Sequence, residues 1–89
     1  MVDIAERFIK LQLEQNGESQ RFEKYLRDMV SKGLIEEIAM RNFCLVKQMD
    51  DYIKANKGHI GNALMDLSDD FNVSERMIRL IHKKYTRIF

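Results

Sequence analysis

Five cations, Arg76, Arg79, Lys83, Lys84 and Arg87, fall in the last fourteen residues of this 89-residue chain, and no acid accompanies them. Residues 1–75 hold 10 cations and 14 acids, a net of −4, so the overall charge of +1 conceals a local +5. A guanidinium presents its donors as a rigid fork and can bond both major-groove acceptors of guanine at once. An ammonium is a point charge suited to a phosphate. Arg76 and Arg79 are therefore the leading candidates for contacts with base edges. Ser74, Glu75 and Lys83 complete that set. Glu75 can accept from cytosine N4 or serve a helix N-terminus, and the Lys83 ammonium also suits a phosphate. Lys84 and Arg87 are candidates for phosphate contacts, which set affinity and salt dependence rather than sequence preference. His82 lies beside the basic run and joins them. So do Lys57 and Asn62, because the free N–H groups of a helix starting near Ile60 form an anion site.

These side chains need a helix held at a fixed angle to a supporting one, and the preceding residues supply the pattern. Leu67 and Phe71 give the supporting helix its apolar positions, with the small Ser68 where two helices would cross. Asn72 tolerates the positive φ of a tight turn. Val73 is the apolar residue the turn buries, and Ser74 can cap a new helix by accepting a hydrogen bond from a free N–H. Ile78 and Ile81 then return at helical spacing. This is the sequence pattern of a helix-turn-helix, whose second helix lies in the major groove of DNA. With Ile78, Ile81 and Tyr85 inward, Glu75, Arg76, Arg79 and Lys83 face outward, and Ser74 and Leu80 lie at the edge.

The run Phe71-Asn72-Val73-Ser74-Glu75-Arg76-Met77-Ile78-Arg79-Leu80-Ile81, followed by Lys83-Lys84, resembles two groups of proteins. One is the promoter-reading C-terminal region of sigma factors. The other is the C-terminal helix-turn-helix of the middle-operon regulators of Mu-like phages, short chains with an N-terminal dimerisation region. The resemblance covers roughly the last thirty residues. It implies a bacterial or phage-like DNA-binding regulator of transcription, and dimerisation through the first half of the chain.

The rest of the chain reads as helix throughout. Proline is absent, glycine is scarce, and no stretch alternates apolar and polar residues as a strand would. A first helix runs from the cap Asp3 to about Gln15, with Ile4, Phe8 and Leu11 on one stripe and Ala5, Ile9 and Leu13 widening it; Asn16-Gly17 ends it. A second starts at the cap Ser19, carries Phe22, Tyr25, Leu26, Met29 and Val30, and stops at Gly33. A third is long, from about Leu34 to Ala55, with Glu36 and Glu37 in its first turn. Its apolar set is Ile35, Ile38, Ala39, Leu45, Val46, Met49, Tyr52 and Ile53, and Asn42 interrupts the stripe as either an exposed edge or a buried hydrogen bond. A fourth spans about Ile60 to Asp70, with Ile60, Leu64, Leu67 and Phe71 on its inner face. A fifth runs from Glu75 towards Ile88, with Ile78, Ile81, Tyr85 and Ile88 giving its inward face. The expected fold is all-α with about five helices. Residues 1–33 form a helical hairpin, and residues 34–89 form a helix-turn-helix unit with a long leading helix. The hairpin either covers that unit or pairs two chains.

Other chemistries find little support. The acids of Asp50-Asp51 and of Asp69-Asp70 are adjacent on helices and point apart, so they read as solvated charge rather than acid/base couples. His59 and His82 have no metal-ligand spacing with a cysteine or carboxylate. Cys44 is the single cysteine, which rules out an internal disulfide and suits a reducing, cytoplasmic setting; its apolar neighbours mark it as a small buried hydrophobe. The first residues lack a signal-peptide pattern, and no apolar run reaches the ~18 residues of a membrane span. The expectation is no enzyme, no metal, no cofactor and no membrane partner. Double-stranded DNA and a second copy of the chain are the expected partners, with RNA polymerase a further candidate. The rival reading is a helical protein–protein interaction module that offers the same basic helix to an acidic partner.

Overall fold

The computed structural model describes residues 3–86. It holds five helices, α1 (Ile4–Asn16), α2 (Gln20–Ser31), α3 (Glu37–Ala55), α4 (Ile60–Phe71) and α5 (Glu75–Tyr85), with no strand among the described residues. The chain divides into two compact units, Asp3–Cys44 and residues 45–86, with the division inside α3.

In the first unit, short polar residues start both hairpin helices. Asp3 Oδ1 accepts from the Glu6 N–H at 3.1 Å, and Ser19 Oγ accepts from the Phe22 N–H at 3.5 Å. Each satisfies a first-turn donor that the helix leaves free. Helices α1 and α2 pack on each other, burying Phe8, Ile9 and Leu26, and the Phe8 ring meets Phe43 edge-on at 5.4 Å between centroids. On the solvent side Arg27 forks onto both Glu6 oxygens at 2.6 and 3.3 Å, and its Nε donates to Glu23 at 2.9 Å. The bonds to Glu6 and then Glu23 hold its guanidinium proton above the ordinary arginine range. Lys32 meets Asp28 at 2.9 Å.

The end of α2 explains a difference from the sequence reading. Gly33 adopts φ 70°, its N–H donates to the Val30 carbonyl, and the Leu34 N–H reaches back to Met29. This closing motif uses Leu34 as part of the helix stop. Helix α3 therefore begins at Glu37 rather than Leu34, and Glu36 contributes a carbonyl to Met40 instead of a first-turn charge. Asn42 resolves as buried, with its Oδ1 accepting from the Arg41 guanidinium at 3.0 and 3.2 Å. Cys44 is fully buried, and burial pushes its thiol up to about 11, against the opposing pull of Arg7.

In the second unit, Leu45, Met49, Ala63, Leu64, Leu67, Phe71, Val73, Ile78 and Ile81 form the core. The four- and three-residue steps of Leu64, Leu67 and Phe71 keep one face of α4 inward, and Ile78 and Ile81 do the same for α5. Two polar contacts tie α4 to α3 and its terminus: the Tyr52 hydroxyl donates to Asp70 at 2.5 Å, and Asn56 Nδ2 donates to Asp66 at 2.9 Å.

Several expected core positions are exposed. Tyr25, Ile38, Ala39 and Ile60 all face solvent. A hairpin helix with one partner buries a narrow strip, and on α2 that strip centres on Leu26, with Phe22 and Met29 half-buried and Tyr25 left outside. Ile60 is the first residue of α4, and a helical side chain leans toward the preceding turn, which α4 lacks there. No helix among the described residues is long and apolar enough to cross a membrane.

Candidate nucleic-acid interface

The turn between α4 and α5 positions the basic helix. Asn72 sits in the left-handed region at φ 55°, ψ 47°, and the Val73 N–H returns to the Ser68 carbonyl at 3.3 Å. That conformation costs a side chain of ordinary shape about 1–2 kcal/mol, and asparagine tolerates it better than most. Val73 is then buried, and Ser74 Oγ accepts from the Met77 N–H at 3.2 Å to start α5. Leu67 and Ile78 are wholly shielded from solvent, so α4 and α5 meet through their apolar faces.

With Ile78 and Ile81 inward, Ser74, Glu75, Arg76, Arg79, Lys83 and Lys84 are all exposed. The ion pairs of Arg27 with Glu6 and Glu23 and of Lys32 with Asp28 lie within Asp3–Cys44. Arg76, Arg79 and Lys83 meet no carboxylate among the described residues, and Lys84 lies over the Tyr85 ring at 5.3 Å. No curated protein, family description or solved structure matches the chain. The site therefore stands on its own geometry.

The remaining candidates are distributed less evenly. Lys57 and Asn62 are exposed near the start of α4. The α4 N-cap, His59, makes no side-chain hydrogen bond, and no acid lies in the first turn. The caps of α1, α2 and α5 each accept one N–H. The first turn of α4 thus keeps donors for an outside acceptor. His82 is half-buried, so it offers less surface than its place beside the lysines implies. Arg87, and the inward position expected of Ile88, lie outside the described residues.

Two acids of α4 take scaffold contacts that sequence reading did not give. Asp70 reads as solvated charge but receives the Tyr52 hydroxyl, and Asp66 receives Asn56. The partners are 18 and 10 residues away, so no local pattern announces them. Among the described residues no three His, Cys, Asp or Glu side chains gather as metal ligands.

Proposed function

We propose that this chain is a sequence-specific DNA-binding regulator of transcription that reads the major groove with α5 and acts as a homodimer, with no enzymatic role. The observation that carries the reading is the exposed face of α5, where Arg76, Arg79 and Lys83 meet no carboxylate among the described residues. Unpaired cations on one rigid helix match a polyanion, and guanidinium forks match guanine. Arg76, Arg79 and Lys83 take the base-reading role, with Ser74 and Glu75 at the helix start. Lys84 and Lys57 take phosphates, and the free N–H groups at the start of α4 take another beside Asn62.

Dimerisation is supported by Tyr25, Leu34 and Ile38, large apolar side chains left exposed within Asp3–Cys44 or at its surface turns. Two copies would present two reading helices to two half-sites, about one helical turn apart.

The deciding experiment selects duplexes from a random pool and measures affinity for the winners across salt. Enrichment of a sequence, with affinity falling steeply as salt rises, is the expected result. Enrichment of nothing would favour the rival module that docks an acidic protein. A mass measurement in solution tests the dimer, and a monomer at tens of micromolar would remove it.

A further inference from the structure

Leu80 is 55 % exposed on the face of α5 that carries the unpaired cations, and Met77 beside it is 46 % exposed. A single exposed leucine is ordinary. The setting of this one is not. On a helix the surface neighbours of a residue lie three and four positions away. For Leu80 these are Arg76, Met77, Lys83 and Lys84, all exposed. Leu80, with Met77 beside it, is a small apolar spot bordered by three cations, on a helix whose opposite face is fixed in the core by Ile78 and Ile81. A fitting surface must be anionic around its rim and apolar at one point. The major groove supplies both, because thymine alone places a methyl group at C5 among the acceptor edges and phosphates. Double-stranded RNA lacks that methyl and keeps its major groove deep and narrow.

We infer that Leu80 determines specificity by packing on a thymine methyl, so that each half-site contains a thymine beside the guanine taken by Arg76 or Arg79. This rests on the reading of α5 as a major-groove helix. It adds a base that the cations do not recognise, and it identifies the residue that does.

The test uses the full chain and the duplex it enriches. Each thymine is replaced in turn by deoxyuridine, which keeps the pairing and loses only the methyl. One position per half-site is expected to weaken binding about fourfold, the effect of one buried methyl. The variant Leu80→Ala, at an exposed position with the same helix content by circular dichroism, is expected to bind the thymine and deoxyuridine duplexes equally. If the unmodified chain enriches a sequence but ignores every deoxyuridine, the inference fails while the reading of α5 stands. If Leu80→Ala keeps the full deoxyuridine effect, another residue touches the methyl and the assignment to Leu80 is wrong. If nothing enriches and no salt-dependent binding appears, the reading of α5 fails and the inference with it.

Discussion

On α2, Arg27 bridges Glu6 and Glu23, and just past its end Lys32 meets Asp28; on α5, Arg76, Arg79 and Lys83 meet no acid among the described residues. Both helices are strongly amphipathic, and both begin with a serine cap. The difference lies in what the outer face faces. Arg27 and Lys32 are matched within the fold, whereas Arg21 and Lys24 on α2 stay exposed; exposed ion pairs like those of Arg27 and Lys32 add little to stability and less as salt rises. Arg76, Arg79 and Lys83 stand three and four residues apart along a helix of eleven residues, where like charges repel. Charge that the fold leaves unmatched is charge available to a partner, whereas the charge of Arg27 is already met by Glu6 and Glu23.

The largest effect expected from this comparison separates the scaffold from the surface. Leu67→Ala removes a side chain with no exposed area and should cost about 2–5 kcal/mol in urea unfolding, with DNA binding lost because α5 loses its support. A stable, fully folded Leu67→Ala protein would mean that α5 does not depend on α4.

Next comes a pH effect confined to the hairpin unit. The Cys44 thiol is raised from about 9 in the unfolded chain to about 11 by burial. Its neutral form is therefore favoured in the folded state. The stability it contributes is complete below pH 9 and is lost as pH rises to 11, amounting to about 2–3 kcal/mol if no other group compensates. Urea midpoints for the unmodified chain should fall more steeply over that range than those of Cys44→Ala. Parallel curves would show that the thiol is not the cause.

The third test addresses the comparison directly. Arg79→Ala should leave the unfolding midpoint nearly unchanged and weaken binding to the selected duplex by about 1–3 kcal/mol, with preference relaxed at one base. Arg27→Ala should do the reverse, with a small salt-sensitive loss of stability and unaltered affinity of the folded protein. If both act on stability alone, α5 is another solvated face.

Much of this arrangement is legible in the sequence because it is local. Ser74 as cap, Asn72 as the left-handed residue and the spacing of Leu64, Leu67, Phe71, Ile78 and Ile81 are read within a few positions of one another, and the structure places them accordingly. The caps Asp3 and Ser19 are equally local. What sequence reading misses depends on distant partners or on how wide a strip a neighbour covers. Asp70 cannot announce Tyr52 across 18 residues, and a periodic pattern gives no limit that would leave Tyr25 and Ile38 in solvent. The start of α3 is misplaced because one glycine, Gly33, organises a closing motif that takes up Leu34 as well. The outer face of α5 is legible as charge, but that Arg76, Arg79 and Lys83 meet no acid among the described residues is a three-dimensional fact.

The smallest effect concerns Lys57, whose backbone and side chain are expected to work against each other. Helix α3 ends with the Gly58 N–H returning to Ile53 at 2.9 Å, and this geometry places Lys57, not a glycine, at φ 56°. A lysine there bears the left-handed cost that glycine avoids. Lys57→Gly should therefore stabilise the fold by about 0.5–1 kcal/mol, after allowing for the greater freedom glycine has in the unfolded chain. The lysine remains useful if its ammonium meets a phosphate beside the start of α4. In that case the same substitution lowers affinity on every duplex alike and reduces the salt dependence by about one phosphate contact. A gain in stability with unchanged salt dependence would remove Lys57 from the interface and confine the working charge of the molecule to α5.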